Sequence, residues 1–337
     1  MELQVSLGSK RTNAYVLLAL LALGLVFVLT VEDPVFIDYG VSFFYFLLLS
    51  ASWNLLAGYA GQLSFAQMAL ALAGGYATAG ISNSTGMSPL VSMVLAGLVT
   101  AAFGLVMGIV TLRFREIYLG LATYAFGGMF ASWALAAGDI TGGSRGMEVM
   151  PLFADGDNLA RYALWLALGL NVAFFAAQWA ILSSRWGFMA MAVRDREAVA
   201  QGLGVRTTLV KVTFFAFTAF WAGIAGGFYA SYVSLVTPAM GSFTNMGLVM
   251  AMTVVGGMGS MLGPIFGTFI FRVIDYWTSG YGGEYTSLIF AALMLAAMLF
   301  ARDGVIGLVA RYGGKLMPKR DRWALDRPAE APKPPAA

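Results

Sequence analysis

"WGFMAMAVRDREAVAQGLGVRT", residues 186–207, interleaves charges, glycines and small apolar residues in a chain that is otherwise apolar over long stretches. On its N-terminal side lies the apolar block 161–183, and on its C-terminal side the block 209–235. Each is about as long as the roughly 20 residues a helix needs to cross a bilayer. The stretch therefore reads as a charged insert joining two membrane spans.

The whole chain supports that reading. Of its 337 residues, 59% are hydrophobic and 11% charged, and the mean hydropathy is +0.77. A soluble domain carries about 25% charged residues. With so few, an ordinary water-facing surface cannot be covered, and a polytopic membrane protein follows. The net charge of +3 does not point to nucleic acid, because the Lys and Arg residues concentrate in loops and at the C-terminus. Cysteine is absent, so disulfides and thiolate metal sites are excluded. Histidine is absent too, which removes the commonest general base and metal ligand.

Apolar blocks fall near 14–31, 37–57, 63–81, 88–111, 116–137, 161–183, 209–235, 244–258, 260–277 and 285–301. They predict an all-α polytopic membrane protein, a bundle of about 8–10 transmembrane helices. Two blocks are weak: the third holds Ser64 and Gln67, and the eighth is short and interrupted by glycine. Either fits a broken or re-entrant helix, tolerated where protein or a cavity covers it. The first block follows Lys10 and Arg11 as a secretory signal would, but "VLTVEDP" lacks a small-x-small cleavage site, so it reads as the first span.

Charge placement orients the bundle. With an even number of spans, Lys10, Arg11, Arg113, Arg115, the insert and the C-terminal basic residues all fall on the cytoplasmic side. Glu32, Asp33, Asp38, Asp139, Glu148, Asp155, Asp157 and Glu284 fall outside, with Arg145 and Arg161 as exceptions. The expected layout is a cytoplasmic segment 1–13, a transmembrane domain 14–301 and a cytoplasmic, disordered tail 302–337 that ends Pro/Ala-rich.

The spans are nearly free of ionisable groups. Arg272 and Asp275, one turn apart, read as a structural pair or interfacial anchors, and no proton relay is visible. Gly104-x3-Gly108, Gly223-x3-Gly227 and Gly263-x3-Gly267 each present a small face for close helix packing. Asn54, Gln62, Ser64 and Gln67 are the densest uncharged polar group at membrane depth. Two readings stay open for them: a place beside a translocation route, or packing around the Gly58–Gly61 turn. A phosphate-binding G-x4-G-K-[ST] loop is absent. If this chain pumps, another chain supplies the ATP.

On a helical wheel, Phe188, Ala192, Val199 and Leu203 of the insert lie within about 60° of one another. Arg194, Glu197 and Gln201 lie opposite, with Arg194 and Glu197 spaced to pair at i, i+3. Glycines 202 and 204 end the helix. A surface connector and a helix docking into a cytoplasmic partner both fit this pattern.

Five stretches resemble, in order and spacing, the LivM-type permeases of branched-chain amino acid ABC importers. They are "NLLAGYAGQLSFAQMALALAGGYATA" (54–79), "ITGGSRGM" (140–147), "REAVAQGLGV" (196–205), "FAFTAFWAGIAGGFYASYVSLVTP" (215–238) and "VVGGMGSMLGPIFGT" (254–268). The resemblance implies that the insert, about 186–204, is a cytoplasmic coupling helix resting on an ATPase. By position, Glu197, Ala198 and Gly204 match the Glu-Ala-Ala…Gly pattern of importer permeases, with Arg194 and Gly202 beside them. Val199 departs from that pattern, as does "RDG" at 302–304. Arg145 stands where an acidic residue is common and leaves the exact solute open.

The implied function is ATP-driven import of branched-chain amino acids or a similar small polar solute, such as another amino acid, urea or a short amide. The implied partners are a second, LivH-like permease, two LivG/LivF-like ATP-binding subunits and an extracytoplasmic solute-binding protein, in a bacterial inner membrane. ATP would be bound by the partners, and this chain would be non-catalytic, with no cofactor, metal or nucleic acid of its own. An ion-coupled secondary transporter is the alternative, and it would need an ion site within the spans.

Overall fold

The computed structural model describes residues 24–111, 116–153 and 159–278, with 289, 290, 292, 304 and 305. The segment 1–13, much of the first apolar block, most of the tenth and nearly all of the tail therefore lie outside the described residues.

After a short helix α1 (24–30), Asp33 caps α2 (Pro34–Asn54) by accepting a hydrogen bond from the Val35 amide at 2.9 Å. Pro34 opens the helix with φ already fixed for it. The helix runs on into a π turn, Leu55–Tyr59. Next come α3 (Gln67–Thr85), α4 (Pro89–Thr111), α5 (Glu116–Ala136) and a single turn α6 (Gly138–Thr141). A 3-10 turn (Gly143–Arg145) and the strand β1 (Met147–Glu148) precede α7 (Leu159–Ser183). The insert forms α8 (Arg185–Gly202), followed by α9 (Thr207–Val233) and β2 (Leu235–Val236). The described fold closes with a 3-10 turn (Pro238–Gly241), α10 (Phe243–Gly256) and α11 (Gly263–Thr278).

The protein is an all-α polytopic membrane protein. Five described helical segments are long and apolar enough to cross a bilayer: Pro34–Tyr59, Pro89–Val110, Tyr118–Ala136, Leu159–Ser183 and Thr207–Val233. The third apolar block becomes α3, whose 19 residues begin only after a non-helical stretch at 61–66. The eighth becomes α10, and its 14 residues reach roughly 21 Å against a hydrocarbon core of roughly 30 Å. Alone, α10 is too short to span.

The helices place the insert and the 58–62 turn at one end of the bundle and residues 137–150 at the other. That second end is tied down. β1 and β2 pair antiparallel, with Met147 opposite Val236 and Glu148 opposite Leu235. The Asn83 side chain donates to the Glu148 carbonyl at 2.7 Å, and the Tyr232 hydroxyl donates to the Asp38 carboxylate.

α9 occupies the centre, packed between α3 and α4. A β-carbon at Gly226 would overlap the Ala71 carbonyl oxygen of α3, and one at Gly223 would overlap Thr100 of α4. All three Gly-x3-Gly pairs sit at such contacts: Gly104 meets Ala219, Gly108 meets Val212, Gly227 meets Thr78, and Gly263 and Gly267 lie on the backbone of Gly257 and Met252. In lipid, where apolar surface alone does not drive helices together, close backbone approach supplies the packing. Trp53, Phe174, Phe214, Phe215 and Phe228 fill the remaining core, and Trp53 donates its Nε1–H to the Ser64 carbonyl at 2.7 Å. Arg272 and Asp275 of α11 pair at 2.8 Å, with the guanidinium over the Tyr39 and Phe46 rings of α2.

Candidate functional site

The insert begins where Ser184 accepts a hydrogen bond from the Trp186 amide at 3.2 Å. It is not one straight helix. Arg196 has φ −153° and ψ 91°, an extended conformation that divides α8 into two limbs. The second limb ends in a Schellman turn: the Gly204 amide donates to the Gln201 carbonyl and the Val205 amide to the Ala200 carbonyl, each at 3.0 Å. Gly204 has φ +85°, where glycine avoids the steric cost other residues meet. Nothing lies within 4 Å of a β-carbon placed at Gly202 or Gly204, so both face open space in this chain.

The break splits the helical wheel between two limbs. Phe188, Ala192, Val199 and Leu203 are all exposed, Phe188 to 57%, Val199 to 52% and Leu203 to 81%. The residues packed against the bundle are the smaller Gly187, Ala190, Val193 and Ala200. One wheel cannot describe two limbs whose phase is reset at Arg196. The expected Arg194–Glu197 pair is replaced for the same reason. Arg194 pairs with Asp195 at 2.9 Å, and Glu197 with Lys211 of α9 at 2.6 Å. Ala198 is exposed beside Glu197.

Asn54, Gln62, Ser64 and Gln67 are all buried, and none faces lipid. They do not converge on one point but hold separate contacts between segments. Asn54 donates through Nδ2 to the Ser260 carbonyl and accepts through Oδ1 from the Gly259 amide, both at 2.8 Å. Gln62 donates to the Lys211 carbonyl at 3.1 Å. The Ser64 hydroxyl accepts from the Ala66 amide at 3.2 Å. Gln67 donates to the Ser52 hydroxyl at 2.6 Å, while its Oε1 has no partner among the described residues.

Two residues outside the expected set join these groups. Gly58, in the π turn, accepts at its carbonyl from Arg194 Nη1 at 2.8 Å. Gly259, between α10 and α11, has φ +80° and packs on Gly58. The Gly58–Gly61 turn was visible in the sequence, but nothing local to it pairs it with residues 136 or 201 positions away.

At the opposite end a cavity of about 330 Å³ is lined by Leu152, Phe153, Ala160, Ala163, Ser231 and Tyr232 among others. Among the described residues, no three His, Cys, Asp or Glu side chains come together as a metal site needs.

Residues 35–298 match the family described as "Branched-chain amino acid transport system / permease component". The chain belongs to this permease family. It is 27% identical to the high-affinity branched-chain amino acid transport system permease protein LivM of Salmonella typhimurium, covering 77% of this chain and 67% of that one. Against LivM of Escherichia coli it is 26% identical, covering 89% and 76%. It is also 27% identical to the autoinducer 2 import system permease protein LsrC of Yersinia pseudotuberculosis, over 59% of this chain and 57% of the other. No solved structure matches. The LivM-type resemblance seen in the motifs is thus a property of most of this permease's length.

Proposed function

We propose that this permease is the non-catalytic membrane subunit of an ABC importer in a bacterial inner membrane. It moves branched-chain amino acids or a similar small polar solute into the cytoplasm. Two cytoplasmic ATP-binding subunits, a second homologous permease and an extracytoplasmic solute-binding protein complete the assembly. The observation that carries the reading is the insert: a kinked element at one end of the bundle that turns Phe188, Val199 and Leu203 outward. Apolar side chains turned outward on a charged segment suit a partner's groove. Arg194, Glu197, Ala198, Gly202 and Gly204 are then the ATPase-coupling residues.

The names of the relatives support the solute class and leave it broad, since they cover both branched-chain amino acids and autoinducer 2. Asn54, Gln62, Ser64 and Gln67 lie beside the route, and Gln67, with its free Oε1, is the residue we assign to contact water or solute. ATP-driven closure of the partner pair biases the bundle between two conformations. Reconstituting the permease with its partners in vesicles tests the reading. Leucine uptake should require ATP and the binding protein and should survive an ionophore. Uptake that ignores ATP and collapses with the ionophore would establish the ion-coupled carrier instead.

A further inference from the structure

Besides its packed small residues, the coupling segment holds the bundle through two charged side chains three residues apart, on either side of the break at Arg196. On the first limb, the Arg194 guanidinium grips the Gly58 carbonyl. The last carbonyls of a helix have no partner within it and carry partial negative charge, so a guanidinium there is well placed. The contact is close along the whole side chain: a β-carbon at Gly61, itself at φ +70°, would lie 2.8 Å from Arg194 Cγ and 3.0 Å from its Cα.

Gly58 passes the contact on. A β-carbon there would lie 2.5 Å from both the Asn54 Oδ1 and the Gly259 amide nitrogen, so the π turn and the α10–α11 turn touch backbone to backbone. Asn54, fully buried, fastens that contact through its bonds to Gly259 and Ser260. On the second limb, Glu197 holds Lys211, whose carbonyl accepts from Gln62 at the far side of the same 58–62 turn. Both limbs thus end on one turn, while their outer faces are free for a partner.

We infer that Arg194, Gly58, Asn54 and Gly259 form the joint that carries movement of the coupling segment into α2 and the α10–α11 turn. This rests on the coupling role proposed above. The elements around the joint can deform: the extended residue Arg196 bends one side, and the π turn can pass to α geometry by a shift in its hydrogen bonds. The joint itself is short-range and tight, as a transmitting contact must be. Arg194 and Asn54 are positioning residues, acting through the backbones they hold.

The test uses the full reconstituted complex and reads solute transported per ATP hydrolysed. Arg194→Met keeps the aliphatic packing on Gly61 and removes the bond to Gly58. It should lower that ratio about tenfold, the scale of one hydrogen bond to a charged group, with ATP hydrolysis little changed. Arg194→Lys, which restores a donor, should recover most of the ratio. Asn54→Ala should lower it through the other half of the joint, and Asp195→Asn, on the exposed partner of Arg194, should leave it unchanged. A wild-type ratio in Arg194→Met overturns the joint. So does a parallel fall of uptake and hydrolysis, which would make Arg194 a docking residue only. Failure of the wild-type complex to couple ATP to uptake would instead overturn the importer reading itself.

Discussion

Gly226 of α9 lies so close to Ala71 of α3 that a β-carbon on it would overlap the Ala71 carbonyl oxygen. The clash would be with backbone, which cannot rotate away as a side chain does. Overpacking a core costs about 1–3 kcal/mol when side chains can adjust, and this site should exceed that. Gly226→Leu is therefore expected to prevent stable folding, seen as loss of the monodisperse peak and of a cooperative thermal transition in detergent. Gly169→Ala is the counterpart. Nothing lies within 4 Å of a β-carbon there, so its better helix propensity should stabilise by up to about 1 kcal/mol.

Gln67→Met tests the polar group by preserving volume and removing the amide. The bond to the Ser52 hydroxyl is lost at a fully buried site, and hydrogen bonds between membrane helices are worth about 0.6–2 kcal/mol. The thermal midpoint should fall modestly. If Gln67 contacts the solute, the KM for uptake should also rise several-fold, while transport per ATP stays constant. An unchanged KM at normal expression would leave Gln67 a packing residue.

Gly204 separates backbone need from docking need. Its φ of +85° costs a residue with a side chain about 1–2 kcal/mol, but the space around it is open. Gly204→Ala and Gly204→Leu should accordingly destabilise the isolated permease by similar amounts. Only the leucine should then reduce ATP-coupled uptake strongly, because only it intrudes on a partner's groove. Equal activity of the two variants would make Gly204 a turn residue and nothing more.

The spans were legible because apolar blocks of bilayer length have few other uses, and the Gly-x3-Gly pairs because close packing in lipid selects small residues. Burial of Asn54, Gln62, Ser64 and Gln67 followed from the cost of leaving amides in hydrocarbon. The break at Arg196 was not legible. Residues 193–199, Val-Arg-Asp-Arg-Glu-Ala-Val, hold no glycine or proline, and local propensity continues the helix. Tertiary anchors override it: a straight helix would put Arg194 and Glu197 on one face, yet one is held on the π turn after α2 and the other on α9. The approach of Gly259 to Gly58 was equally hidden, since two glycines far apart in the chain carry no side chains whose chemistry could announce a contact.

Sidedness is the last expectation, and the bundle makes it sharp. The insert end carries Arg185, Arg194, Arg196, Arg206 and Lys211, whereas the other end carries Asp33, Asp38, Asp139 and Glu148 beside Arg145 and Arg161. The 25 residues of α7 join those two ends, long enough to separate them by a bilayer. By the positive-inside bias the insert is expected in the cytoplasm. Gln201 is exposed on the insert and Ser144 is exposed in the opposite loop, so neither needs unfolding to react. The natural chain has no cysteine, which leaves a single engineered thiol as the sole target. In intact cells an impermeant maleimide should label Ser144→Cys and spare Gln201→Cys, and the second should react once the membrane is opened. Labelling of Gln201→Cys from outside would invert the bundle and remove any cytoplasmic ATPase from the insert's reach.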